Sequence, residues 1–500
     1  MNTKEKLKKL YETMDLAEKY YHAVGLINFD LETISPENAK EEQGEVINFL
    51  SNEAFKLTNS EEYNSLIVDL YNCREDLDPL DKVMIEKKYD NYLKIKNITP
   101  EFALYMDRVY TKSFLNWLKA KEAADFSVFR DSLAEVIELE KKTISLRENK
   151  LPDAYDNLLN DCEKGMLTEQ LDRFFGELKA GLLEIMNKIK NSKHVIRDDF
   201  LTRKVPLHKQ EIMSKYLLEL NGYDFKKGVL AESEHPFTSD IAKNDARLTT
   251  HYHEDMVLSN IFSVIHEGGH GIFMQNEREE DYEHHINDSI TNGMHESVSR
   301  FYENVIGRSK EYVHLIYPKF MELFSEELGD VSERELYEAL NIVKPSLIRT
   351  EADEVTYGLH VIIRYEMEKM IMHDEIKVDD IPKMWNRLYK EYLGIEPSND
   401  REGVLQDMHW SSGFGYFPSY AMGNSYNAMY VRKMKEEIDF EGAVSRGEMN
   451  IIKEWLKDNV FSHANVFTPD EWIREITGES LTPKYFLEYL NKKYSEIYEF

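Results

Sequence analysis

Ile261-Phe262-Ser263-Val264-Ile265-His266-Glu267-Gly268-Gly269-His270-Gly271-Ile272-Phe273 lies near the middle of the chain. Ile261, Phe262, Ile265 and Phe273 recur at helical spacing around the two histidines. His266 and His270 stand one helical turn apart, so they share a face and can grip one metal ion. Glu267 follows the first histidine, where a carboxylate can take a proton from water as that water attacks a carbonyl. A zinc ion on the histidines would lower the pKa of its bound water toward ~7. The plain alternative is a helix with two ordinary histidines. Against it, Gly268 and Gly269 each cost about 1 kcal/mol relative to alanine in a helix interior. That cost predicts a close approach of something to this backbone. The preceding apolar run turns His266 and Glu267 into the protein.

A catalytic zinc needs a third protein ligand and one open position. Downstream, Asp288, Glu296 and Glu303 are candidates. Glu296 lies in His295-Glu296-Ser297, inside a helical pattern that continues with Val298, Phe301 and Val305.

Outward from this helix, the same periodicity recurs over Leu7 to Met14, Phe102 to Trp117, Leu133 to Leu146, Leu167 to Ile189, Tyr312 to Leu328 and Met367 to Met372. The 500 residues hold only 22 Gly and 13 Pro, too few for a turn-rich β-sandwich or propeller. No repeat, Gly/Ser linker or low-complexity run divides the chain, which predicts one large, mostly α-helical, two-lobed unit over residues 1–500. One stretch differs. Arg247-Leu248-Thr249-Thr250-His251-Tyr252 is β-branched and aromatic, and alternation puts Arg247, Thr249 and His251 on one face. As a strand rather than a loop, it could pair with an extended peptide by strand addition.

The net charge of −31 repels nucleic acid and anionic membranes, and an anionic ligand would need local positive charge. Cys73 and Cys162 are too few for a disulfide scaffold. The chain shows no signal-peptide core and no apolar run of spanning length, which points to the cytoplasm. Further clusters stand out: the rigid turn His235-Pro236-Phe237, the charged run Ile348-Arg349-Thr350-Glu351-Ala352-Asp353, and Gly403-Val404-Leu405-Gln406-Asp407-Met408-His409-Trp410. Taken alone, Arg349 is more often a structural ion pair. The aromatic, Gly-rich stretch Gly413 to Tyr420, with Tyr416 and Tyr420, suits either packing or a substrate-lining loop.

The order of these runs resembles the M32 metallocarboxypeptidases of the Taq type. HPF at 235–237, DARLT at 245–249, HEGGH at 266–270, HES at 295–297, IRTEAD at 348–353 and GVLQDMHW at 403–410 appear in family order. Weaker likeness reaches Phe29-Asp30 and Tyr155 to Leu159. The resemblance implies an all-α, two-lobed fold with a deep groove, similar to the neurolysin-like peptidases, and a small β element beside the HExxH helix. It implies a homodimer that releases amino acids stepwise from peptides with a free C-terminus. It implies His266, His270 and Glu296 as ligands of zinc or cobalt, and Glu267 as catalytic base. Arg349 and Arg247 would take the substrate's C-terminal carboxylate, an ion that Arg's planar fork suits. His235 and Tyr416 would line the substrate. His409 and Tyr420, with Tyr416, would donate to the tetrahedral oxyanion. Val298 stands where the family has Gln, Phe29 where it has Trp, and Lys164 where it has Pro. These departures bear on groove shape and preference rather than on the reaction. Two other readings are an endo-acting oligopeptidase on the same helix and a helical binding protein with a dead site. The intact Glu267 argues against the second.

Overall fold

The computed structural model describes residues 1–287 and 289–500. It is all-α apart from one three-stranded sheet, in agreement with the periodicity of the sequence. Each stretch with helical spacing is a helix: Thr3–Thr33, Pro100–Ala123, Ser127–Leu146, Thr168–Asn191, Lys310–Leu328 and Tyr357–Met372. Their ends follow capping chemistry. Asn2 and Glu5 close a capping box on the first helix, and Thr99 caps Pro100–Ala123 with Pro at the first position.

The main core runs from Val109 to Tyr498 and includes Ile261, Ile265 and Ile272 of the motif helix Val257–Gln275. That helix is buried on nearly every side, as a helix apolar all round must be. A smaller core gathers Leu10, Met14, Leu66, Ile67, Leu70, Met84 and Ile85 from the N-terminal helices, closed by Ile286. The two cysteines are free. Among the described residues no helix is long and apolar enough to cross a membrane.

The sheet has the order β1 (Leu230–Glu232), β3 (Asp245–Thr250), β2 (Thr238–Ala242). β1 runs parallel to β3, with Leu230 beside Leu248, and β2 runs antiparallel to it, with Thr238 beside the same Leu248. β3 is the stretch expected as a strand, but His251 lies beyond its end. Strand addition at β3 is ruled out. Both of its edges are already paired, so an extended peptide could meet only the outer edge of β1 or β2. Leu248 packs on Gly271 of the motif helix, where an added Cβ would stand 2.8 Å from its Cδ2. Buried Asn260 ties the layers together, donating to Thr250 Oγ1 at 2.9 Å and accepting from Ser214 Oγ at 3.0 Å. The sheet is thereby fixed against the motif helix and against the helix Leu207–Asn221.

Candidate active site

The motif helix projects His266 and His270 from one face, their rings 5.0 Å apart and edge-on. Gly269 explains why a third ligand can reach them. An added Cβ there would stand 2.7 Å from Ser299 Cα and 3.2 Å from the Val298 carbonyl oxygen. Only a glycine lets the helix Asn292–Arg300 lie backbone to backbone on the motif helix. On the other side, Gly423 of the helix Phe417–Glu437 leaves room for the Glu296 side chain, whose Cγ would lie 3.1 Å from an added Cβ. With its helix lying on Gly269 and its side chain against Gly423, Glu296 sets Oε2 3.8 Å from His266 Nε2 and 3.5 Å from His270 Nε2. The ligand atoms of His266, His270 and Glu296 all lie within 4.8 Å of one another. The helix continues as a π-helix over Phe301–Ile306, a rare form often found at functional sites.

Each of these side chains is oriented from behind. His266 Nδ1 lies 2.9 Å from Glu303 Oε2. A proton donated there leaves the Nε2 lone pair facing Glu296, the arrangement common behind metal-bound histidines. His270 Nδ1 meets His295 Nδ1. Burial and the neighbouring His270 hold the His295 pKa well below its ordinary value. His295 is therefore neutral and can accept the His270 proton, which frees His270 Nε2. Arg300 donates to Glu296 Oε1 at 2.8 Å and to Glu303 Oε2 at 3.1 Å. Glu296 Oε2 thus remains turned toward the imidazoles. Burial would raise both carboxyl pKa values. Nearby His266 and Arg300 outweigh it, holding Glu296 far below the carboxylate range and Glu303 at about 2. Burial would likewise lower His266, but Glu296 and Glu303 raise it to about 9. Two neutral-capable imidazoles and one fixed carboxylate are a donor set that suits a divalent cation with an open position. The cation would replace the proton that the carboxylates otherwise hold on His266.

His266 and Glu267 open onto a cleft of about 680 Å³. Its walls include Arg300, Glu303, Arg349 and Tyr357, with Phe262, Leu340 and Ile342 as apolar surface. Glu267 Oε2 accepts from Thr238 Oγ1 at 2.6 Å, so β2 holds the carboxylate next to the histidines. Buried Arg349 donates to Asp407 Oδ1 through Nε at 3.1 Å and Nη2 at 2.9 Å, and to Tyr357 OH through Nη1 at 3.2 Å. Of the guanidinium's five N–H groups, these bonds use Nε and one on each terminal nitrogen. One N–H on each terminal nitrogen remains. Tyr357 also underlies Arg300 at 4.2 Å, which joins the Arg349 group to the Glu296 group.

The other expected residues divide. Tyr420 lies beneath Arg349 at 4.8 Å, and its OH is 3.3 Å from His409 Nε2. Burial, aided by Arg349 and Arg364 against the opposing Asp407, lowers the His409 pKa to about 4, so this imidazole is neutral near pH 7. Tyr416 packs on Tyr420 with ring centres 5.2 Å apart. Arg247 stands apart from the cleft. It is half-exposed on β3, bound to Asp245 at 2.7 Å and stacked on Phe29 at 5.2 Å. His235 is exposed, and of the HPF turn only Pro236 reaches the cleft wall. Neither residue lines this cleft. Asp288 falls outside the described residues. Glu303 backs His266 at Nδ1 rather than joining the three ligand atoms. Thr238, Arg300 and Tyr357 went unmarked in the sequence, and His295 was noted only as part of the HES motif, without its place behind His270. Of the three unmarked residues only Arg300 had a local signal, standing at i+4 from Glu296 and i−3 from Glu303.

The family model described as Carboxypeptidase Taq (M32) metallopeptidase matches residues 9–494. The chain belongs to this family. As an M32 member it is a metal-dependent carboxypeptidase. It is 39% identical to Carboxypeptidase 1 of Bacillus subtilis over 495 residues, covering 98% of each chain. It is 34% identical to Thermostable carboxypeptidase 1 of Thermus thermophilus over 417 residues, covering 81% of this chain and 82% of that one. A crystal structure of an M32 carboxypeptidase from Deinococcus radiodurans R1 superposes with a TM-score of 0.95 at 29% identity, covering 99% of this chain and 100% of that one. Six motifs in family order thus identified the family correctly.

Proposed function

We propose that this M32 carboxypeptidase removes amino acids one after another from the free C-terminus of peptides, with residues 1–500 acting as a single catalytic domain. The observation that carries the reading is the convergence of His266, His270 and Glu296 within 4.8 Å, with Glu267 on the adjoining helix position. His266, His270 and Glu296 would hold zinc or cobalt, which supplies a Lewis acid for the scissile carbonyl and an acidified water. Glu267 takes the proton of the attacking water and passes it to the leaving amine. The Thr238 hydroxyl holds the Glu267 carboxylate in place for both steps. The remaining N–H groups of Arg349 bind the terminal carboxylate, and its guanidinium supplies the positive charge that the −31 background lacks. Asp407 and Tyr357 keep that guanidinium from turning. Tyr420, backed by neutral His409 and packed on Tyr416, donates to the developing oxyanion.

The proposal extends to a homodimer acting in the cytoplasm. Light scattering that gives the 59.0 kDa chain mass rather than its double would end the dimer assignment. The chemistry is tested by digesting one mixed peptide, as free acid and as C-terminal amide, with and without chelator. A ladder of single losses from the free-acid C-terminus, abolished by chelator and by amidation, is expected. Internal cuts in the amide would instead indicate an endopeptidase.

A further inference from the structure

Glu163 is fully buried in the loop after the helix Ala154–Cys162 and belongs to none of the groups described above. Its Oε1 accepts from the backbone N–H of Gly293. Gly293 lies in the first turn of Asn292–Arg300, the helix that carries Glu296 one turn later. Thr291 occupies the N-cap of that helix, yet its hydroxyl makes no capping bond. The first N–H groups of a helix need an acceptor, and in a buried setting an unmet one is costly. Here the acceptor comes from a residue 130 positions away in sequence. The contact is shaped for it. A Cβ at Gly293 would stand 2.9 Å from Glu163 Oε1 and 3.3 Å from Oε2, so a side chain there would push the carboxyl group aside.

The far end of the same short helix is anchored to a different element. Tyr430 OH on the helix Phe417–Glu437 donates to the Ser297 carbonyl oxygen at 2.9 Å. Ser419, from the first turn of that second helix, and the Thr291 hydroxyl both adjoin the Glu163 carboxyl. Burial pushes the Glu163 pKa up to about 7. A neutral carboxyl still accepts through Oε1, so the bond to Gly293 survives in either protonation state.

We propose that Glu163 is a positioning residue of the metal site: it caps the Glu296 helix in place of Thr291 and sets where Glu296 stands relative to His266 and His270. This rests on the ligand set proposed above. Substituting Glu163 acts through Glu296, so its signature is metal affinity and not peptide affinity.

The test compares zinc dissociation constants of the metal-freed full chain, by competition with a chromophoric chelator, alongside melting temperature and KM. Glu163→Met fills the space without an acceptor and should weaken zinc binding about tenfold, in line with groups that orient ligands. Glu163→Gln keeps the acceptor and should stay within about threefold of wild type. Gly293→Ala, which displaces the carboxyl from the other side, should repeat the Glu163→Met loss and serves if that variant does not fold. At saturating zinc, KM should be unchanged in all of them. Wild-type zinc affinity in both Glu163→Met and Gly293→Ala, with only the melting temperature lowered, overturns the proposal. So does an equal loss in Glu163→Gln. Glu296→Gln is measured in parallel. If it binds zinc as wild type does, the ligand set itself is wrong and the Glu163 role falls with it. If Glu296→Gln loses zinc while the Glu163 and Gly293 variants do not, only the positioning role fails.

Discussion

Replacing Gly269 by alanine places a methyl 2.7 Å from Ser299 Cα, whereas Gly268→Ala places one 2.6 Å from Leu218 Cδ2. The nominal clashes are alike, but the neighbours differ. Leu218 Cδ2 is the end of a flexible side chain and can turn aside. Ser299 Cα is backbone of the helix that carries Glu296. Carbon contacts settle at about 3.5–4.0 Å, so the two helices must part by roughly 1 Å. Metal–ligand distances hold to about 0.2 Å, and a shift of that size takes Glu296 out of reach. Alanine returns about 1 kcal/mol of helix propensity, and overpacking costs about 1–3 kcal/mol. The net change in fold stability for Gly269→Ala thus lies between about zero and a loss of about 2 kcal/mol. Metal affinity should fall much further, by about tenfold or more. Gly268→Ala should bind metal as wild type does. Chelator competition on the metal-freed proteins reads both constants, and thermal melts report stability. Wild-type zinc affinity in Gly269→Ala, or equal losses in the two variants, would refute the idea that Gly269 sets the approach of Glu296.

Glu267→Gln should keep its metal and lose turnover by about 10²–10⁴-fold, the range for a general base; retained turnover removes Glu267 from that role. Thr238→Val should lower kcat with KM unchanged, because the lost 2.6 Å bond orients Glu267 and touches no substrate; a change confined to KM would place Thr238 on the substrate instead. Arg349→Ala should raise KM for free-acid peptides, and unchanged kinetics would move carboxylate recognition elsewhere. With His266 at about 9 in the metal-free protein, zinc uptake near pH 7 should release a proton. The sign follows directly: His266 is protonated below about 9, the ion needs it neutral, and apparent affinity should rise with pH until about 9. Calorimetry in buffers of different ionisation enthalpy measures this, and zero proton release at pH 7 would contradict it.

Local pattern carried much of this protein. Histidines one turn apart inside an apolar stripe are legible, because the ligand pair and the buried face follow from one helical period. The two mid-helix glycines announced a close backbone approach, and Ser299 lies on Gly269 as expected. Contacts that depend on register or on distant segments were not legible. Thr238 reaches Glu267 only because a bulge near Asp240 and the antiparallel pairing of β2 bring it there. Glu303 looks like Glu296 in sequence, an acidic residue on a helix. The π-helical turn over Phe301–Ile306 carries it behind His266, and no sequence signal marks that turn. Arg247 sits in a family motif, but strand alternation turns it to the half-exposed face beside Asp245. The strand was legible; its central place in the sheet was not, since flanking strands of three and five residues carry little pattern.

The most direct test is anomalous diffraction at the zinc edge from crystals of the zinc-loaded chain. One strong peak bounded by His266 Nε2, His270 Nε2 and Glu296 Oε2 is the expected result. A peak elsewhere, such as at the exposed group of Asp15, Glu18 and His285, with none between the motif histidines, would contradict the account.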